Sequence, residues 1–211
     1  MRCPDVGPIR TYPWPLFLGT LAGMTTSRPD ATAGLPAAPP AAAAGLPAAP
    51  LAAAGDGRHD FDFLFGGRWK IHNRRLKKRL QGCTDWESFE AWQEVRPVLG
   101  GLGNTDSFSC VFPDGKPLEG MTLRLFNPAT RLWSLYWADD RGGELQPPVV
   151  GRFVDGRGEF DGDDTLAGQP IRVRFVWSGT SATRAHWEQA FSADGGKTWE
   201  TNWFMEMERA T

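Results

Sequence analysis

The sequence predicts an all-β fold, an antiparallel up-and-down barrel of about ten strands behind an Ala/Pro-rich extension. Three observations predict it. From Phe61 onward, apolar and polar residues alternate with a period of two. Turn signals recur at short spacing between the alternating runs. The octet Ser192-Ala193-Asp194-Gly195-Gly196-Lys197-Thr198-Trp199 reads as a tight hairpin between aromatic-bearing strands, in a chain with ten Trp and only two Tyr.

Residues 1–57 stand apart in composition. Ala33-Gly34-Leu35-Pro36-Ala37-Ala38-Pro39 recurs as Ala44-Gly45-Leu46-Pro47-Ala48-Ala49-Pro50, a low-complexity repeat. Proline removes backbone donors and blocks helix propagation, so a disordered extension is expected over 1–57 and a barrel domain over 58–211. The apolar run Leu16–Met24 is short, opens after Pro13 and Pro15, and is followed by polar residues, so a signal peptide is the weaker reading. Nothing approaches the ~20 apolar residues of a membrane span.

Candidate strands are 67–76, 85–96, 105–112, 119–127, 131–138, 148–154, 157–162, 170–178, 182–192 and 198–208. Pro113-Asp114-Gly115-Lys116 places Pro and Gly where a tight turn needs them. Asn127-Pro128 begins the next turn, and Asp155-Gly156-Arg157-Gly158 supplies glycines for positive φ. The only helical candidate is a short turn at Phe61–Phe65, with Asp60 as its cap. About ten strands joined by hairpins must close or split into two sheets, because open edges invite aggregation.

Alternation assigns faces. Trp133, Leu135 and Trp137 share one, as do Ile171, Val173, Phe175 and Trp177. Met121, Leu123 and Leu125 form an aliphatic face against Thr122, Arg124 and Phe126. Trp199, Trp203, Met205 and Met207 form another. These four faces are expected inside. Strand 85–96 leaves two alternatives, Phe89/Ala91/Val95 inward or Trp86/Trp92 inward.

Gly67-Arg68-Trp69 after Phe61-Asp62-Phe63, and Asp194-Gly195-Gly196-Lys197-Thr198-Trp199-Glu200-Thr201-Asn202-Trp203 near the other end, carry a resemblance. The chain resembles a bacterial family of uncharacterised lipocalin-like, calycin-type β-barrels, over roughly residues 59–209. The resemblance implies that the glycine turns the chain tightly into the barrel and that Trp69 plugs its narrow end. It implies no reaction, since such barrels serve carriers, isomerases and cyclases alike. Ser192–Trp199 is also similar to the Asp-box hairpin of sialidase propellers, a structural element. A single copy in a domain of about 150 residues excludes a propeller.

Net charge is −2 with both signs interspersed, which argues against nucleic acid and membrane partners. The basic run Lys70, Arg74, Arg75, Lys77, Lys78, Arg79 reads as a solvated strand end. Cys3, Cys83 and Cys110 form no Cys/His cluster, so no metal site is expected, and the usage fits a cytoplasmic protein better than a secreted or periplasmic one. Cys83 and Cys110 could pair only if the fold brings their Cα atoms within about 7 Å. No cofactor is expected, and His72, between Lys70 and Arg74, reads as a solvated strand residue and not a haem ligand. Asp161-Gly162-Asp163-Asp164 reads as a solvated turn. Gly100-Gly101-Leu102-Gly103-Asn104 reads as a flexible connection at the open mouth.

Aromatic walls suit a flat apolar molecule, and a barrel of about ten strands is wide enough to enclose one. The first reading is therefore binding of a small hydrophobic or aromatic ligand by Trp92, Leu123, Trp133, Trp137, Phe175, Trp177, Trp203 and Met205. The alternative is a barrel enzyme of isomerase or cyclase type. Its acid/base group would be Arg184, His186 and Glu188, provided that their strand turns them inward. The third reading is a structural or interaction module with a filled core. A Trp-lined cavity of about 300 Å³ or more favours the first two.

Overall fold

The computed structural model describes residues 55–210. The Ala/Pro repeat and the Leu16–Met24 run lie outside the described residues. A 3-10 turn, Asp62–Leu64, leads into β1 Arg68–Leu76, β2 Trp86–Val98, β3 Gly103–Val111, β4 Pro117–Asn127 and β5 Leu132–Asp139. There follow β6 Val149–Val154, β7 Arg157–Leu166, β8 Gln169–Ser178, β9 Arg184–Ser192 and β10 Glu200–Arg209. Each strand pairs antiparallel with its neighbour in the chain, and β1 pairs with β10, so the sheet closes into an up-and-down barrel. Closure removes every sheet edge. No helix among the described residues is long and apolar enough to cross a membrane.

The turns follow the local chemistry. Asp155 and Gly156, at φ 50° and 78°, form the two-residue link from β6 to β7. Asn127 Oδ1 accepts the amides of Ala129 and Thr130 at 2.9 and 3.3 Å before β5. The octet hairpin is held by Asp194, whose Oδ1 accepts Lys197 N (2.9 Å) and Thr198 N (3.0 Å), while Oδ2 accepts Thr198 Oγ1 at 2.6 Å. Asp161–Asp164 is not a turn. β7 continues through it to Leu166, because Arg174 and Arg172 on β8 meet Asp161 and Asp163 at 2.8 and 3.1 Å. The turn lies further on, at Ala167 and Gly168, with φ 50° and 79°.

One end of the barrel is plugged. Phe61 is fully buried, with ring centroids 5.0 Å from Trp133, 5.7 Å from Trp177 and 5.8 Å from Phe160. Trp69 is fully buried beside it and donates from Nε1 to Leu64 O at 2.9 Å. The Arg209 guanidinium lies 4.1 Å over the Trp69 ring and donates to Phe63 O and Leu64 O at 2.7 and 3.3 Å. The last strand thus latches the plug that precedes the first. Asp60 makes no cap; Phe61 occupies the position before the 3-10 turn, with no side-chain capping bond. The Gly100–Asn104 segment belongs to this plugged end and not to an open mouth. β2 runs back past the start of β1 before Val98 pairs with Gly103, and Leu99–Gly101 forms a second 3-10 turn there.

Faces follow from register and burial. On β1, Trp69, Ile71, Asn73 and Arg75 point inward, while Lys70, His72 and Arg74 point out. The pairing of Asn73 with Phe89 and of Ile71 with Ala91 turns Phe89, Ala91, Gln93 and Val95 of β2 inward. β5 and β8 bury the predicted faces. On β4 the predicted face is reversed. Phe126 and Arg124 are buried inside, and Met121, Leu123 and Leu125 lie on the outer side. The reversal is tolerable because Arg124 has an internal carboxylate partner, described below. On β10 an extra residue, Asn202, bulges between Thr201 and Trp203. The bulge shifts the alternation by one, so Trp203, Met205 and Met207 face inward while Trp199 lies outside under Arg174, 4.3 Å from its guanidinium carbon.

Candidate functional site: the barrel interior

Between the plug and the far end, the barrel encloses a cavity of about 90 Å³. This is below the 300 Å³ that the sequence reading set for a ligand chamber, yet the interior is not filled. Trp137, Phe175, Trp177, Trp187, Trp203 and Met205 form much of the apolar wall. Arg75, Gln93, Arg124, Asp139 and Gln189 add polar groups.

Arg124 is the most deeply placed charge. Its Nη2 lies 2.7 Å from Asp106 Oδ2, with the two side chains 2% and 0% exposed. Nη1 donates to Asn104 Oδ1 at 2.9 Å. Asp106 is supported in turn by Gln93 Nε2 at 2.6 Å and by the backbone N–H of Thr122 at 2.8 Å. The carboxylate thus accepts from β2 and twice from β4, stitching three strands from the inside. A buried ion pair with this many hydrogen bonds offsets much of its desolvation cost.

Toward the other end, Arg75 pairs with Glu87, its Nε 2.9 Å from Oε1. The guanidinium carbon stands 4.3 Å from the Phe112 ring and 5.1 Å from that of Trp203. Trp203 Nε1 donates to Asn73 Oδ1 at 2.9 Å, and Gln189 Nε2 donates to Asn202 Oδ1 at 2.9 Å. Asp139 accepts Trp137 Nε1 at 3.1 Å and the amides of Arg141 and Gly142, both at 3.1 Å.

Not every polar atom is satisfied. Gln93 Oε1, Arg124 Nε and Trp177 Nε1 are buried and have no partner. All three belong to side chains of the cavity wall.

Of the eight residues predicted to bind a ligand, Trp137, Phe175, Trp177, Trp203 and Met205 line the cavity. Trp133 is inside but belongs to the plug, 5.0 Å from Phe61. Leu123 is on the outer face, on the reversed strand. Trp92 is also outside, under Arg68 at 4.1 Å, because the inward phase of β2 belongs to Phe89, Ala91 and Gln93. Arg184, His186 and Glu188 stand on the outer face of β9, whose inward phase is taken by Ala185, Trp187 and Gln189. There His186 meets Glu206 at 2.6 Å and Glu188 at 3.0 Å, and Arg184 meets Glu208 at 3.3 Å. His72 is likewise outside, 2.9 Å from Glu90.

The sequence reading missed Arg75, Gln93, Arg124 and Gln189 because each was assigned as solvated or left unassigned. The available signal was the opposite charge of Asp106 and Arg124, on strands joined by a short hairpin, where the register sets Arg124 across from Asn104, two residues before Asp106. Cys110 is a buried free thiol, so the Cys83–Cys110 pair is not formed. Among the described residues, no group of three His, Cys, Asp or Glu is placed to hold a metal ion.

Fold and interior together define a closed ten-stranded antiparallel barrel with an aromatic-walled chamber, and two ion pairs join adjacent strands along its wall. No family model matches the chain, and no curated protein matches it.

Proposed function

We propose that this protein binds a small molecule inside the barrel, as a member of the lipocalin-like barrels its two end motifs resemble. The observation that carries the reading is a cavity inside the barrel whose wall combines tryptophan with the polar side chains of Arg75, Gln93, Arg124, Asp139 and Gln189. An apolar, aromatic wall with a few polar groups is the usual make-up of a small-molecule site. At roughly 30 Å³ per water, 90 Å³ corresponds to about three waters. The occupant is therefore compact, and an aromatic ring enters only as side chains such as Met205 swing aside. Methionine suits that role, being unbranched and adaptable.

The test is native mass spectrometry of the purified protein, followed by tryptophan-fluorescence titration with small aromatic and aliphatic compounds. A co-purifying or saturably quenching small molecule supports the reading. A protein that carries nothing, and whose emission no such compound alters, rejects it in favour of a filled structural module.

A further inference from the structure

Three guanidiniums gather at the end of the barrel away from the plug. Arg75, near the end of β1, lines the cavity. Its guanidinium carbon stands 5.4, 4.3 and 5.1 Å from the rings of Phe89, Phe112 and Trp203. Arg141, in the loop after β5, lies 5.1 Å from the same Phe112 ring, which is itself part of the cavity wall. The third, Arg79, belongs to the loop after β1. Burial, and after it repulsion by Arg75, push its pKa down to about 10, so it remains charged at neutral pH.

These cations outnumber the carboxylates that answer them. Among the described residues, Glu87 is the only carboxylate within 4.0 Å of any of the three, and it meets Arg75. It does so through one oxygen, Oε1, which accepts from both Nε and Nη2. Nη1 of Arg75 has no hydrogen-bond partner among the described residues and keeps accessible surface, unlike the sealed Nε of Arg124. Arg141 is exposed, and its one side-chain bond, from Nη2 to Pro117 O, is long at 3.4 Å. Asp139, the carboxylate of the wall, is occupied by three N–H groups, and Glu200 by the Leu80 amide at 2.7 Å. An anion reaching this end of the chamber therefore meets donors that no carboxylate of the barrel has claimed.

We propose that the ligand is a small monocarboxylic acid, its carboxylate on Arg75 with Arg141 as a second positive charge beside Phe112, and its apolar part against the tryptophans of the wall. This rests on the binding reading above. A guanidinium presents its donors in a fork that matches a carboxylate, and such charge-assisted bonds are about twice as strong as neutral ones. The rings of Phe89, Phe112 and Trp203 hold bulk water away from the Arg75 guanidinium, which strengthens its attraction for an anion. The space of about 90 Å³ limits the apolar part to a short alkyl chain or a single ring.

Benzoate with benzamide, and butyrate with butyramide, are pairs that share a shape and differ in charge, since both acids are ionised at pH 7.5. Trp203, 5.1 Å from the Arg75 guanidinium carbon, reports arrival of a ligand there. Tryptophan quenching and ligand-observed NMR should show each acid binding at least about tenfold more tightly than its amide. An acid that binds no more tightly than its amide overturns the acid inference and leaves the binding reading intact. If none of the four binds, the acid inference is overturned, and the binding reading falls with it only if the wider titration described above is silent too. The double replacement Arg75→Met with Glu87→Leu removes both charges of that pair, so neither is left unpaired and the barrel should still fold. It should weaken benzoate about tenfold and change benzamide by less than about twofold. Arg141→Gln, at an exposed position, should weaken benzoate about threefold. Unchanged benzoate affinity in the folded double variant overturns the proposal.

Discussion

Arg124 and Asp106 form an ion pair inside a β-barrel, 2.7 Å apart and almost wholly shielded from solvent. They stand on β4 and β3, adjacent strands, and the pair sits beside the cavity wall. Breaking such a pair is more damaging than replacing it. Asp106→Ala leaves the guanidinium buried and unpaired and should cost about 3–5 kcal/mol. The double replacement Asp106→Leu with Arg124→Met removes both charges and should recover most of that loss. Urea unfolding of the two single variants and the double variant checks this. A single-variant cost below about 1 kcal/mol would mean that water reaches the pair.

The same pair explains what the sequence could and could not show. Strand positions were legible because hairpin turns at Asp114-Gly115, Asn127-Pro128 and Asp155-Gly156 punctuate them. The inward phase of β5 and β8 was legible because tryptophan and aliphatic residues fall on one side. On β4 the rule that the apolar side faces in failed. Met121, Leu123 and Leu125 look like a core face, but the interior there holds an arginine answered by an aspartate from another strand. Alternation within a strand carries no information about a partner in the next one. Trp199 misled for a different reason. A single bulged residue at Asn202 shifts parity, and nothing in the alternation announces it.

Cys110 supplies a test of how dry the interior is. Its thiol is buried, and burial is the largest influence on it; the nearby Arg75 and Arg141 favour the thiolate but do not prevail. Its pKa is pushed up to about 11. Between pH 9 and 11 the unfolded chain therefore releases this proton while the folded protein keeps it. The unfolded state then binds fewer protons, so stability falls as pH rises through that window, by on the order of 2–3 kcal/mol. Cys110→Ala should abolish this component, measured as the difference in unfolding free energy between pH 8 and 10.5 for the two proteins. Identical pH profiles would show that the folded thiol ionises as readily as the unfolded one.

The Asp194 hairpin predicts dependence of the opposite sign. Hydrogen bonds from the Thr198 hydroxyl and amide, the Ser192 hydroxyl and the Lys197 amide hold its carboxylate far below the usual carboxylate range. A carboxyl with a depressed pKa contributes stability above its unfolded value, near 4. That contribution is lost as pH falls further, toward the lowered folded value. Asp194→Asn should lower the melting temperature at pH 7. It should also flatten the acid limb of the curve between pH 4 and 2, and thermal melts across that range decide the matter. A variant whose acid limb is as steep as the wild type's would show that other carboxylates govern acid unfolding.

Gly120 and Trp137 connect stability to the cavity. Gly120 sits on β4 opposite Asp139, and a Cβ placed there would lie 2.4 Å from two atoms of the Trp137 ring. Trp137 in turn packs edge-on against Phe108, with centroids 5.6 Å apart, and lines the cavity. Both rings line the cavity, so a shift of either changes the space that a ligand would use. Gly120→Ala should therefore cost about 1–3 kcal/mol through overpacking. It should also shift tryptophan emission and weaken interior binding about tenfold. Trp137→Leu in the same chain removes the clashing ring, so the double variant should be more stable than Gly120→Ala alone. The coupling energy from a double-mutant cycle measures how far the clash is specific to this pair. A coupling near zero would mean that the barrel absorbs the added methyl by moving its strands apart, and binding should then be unaffected by Gly120→Ala.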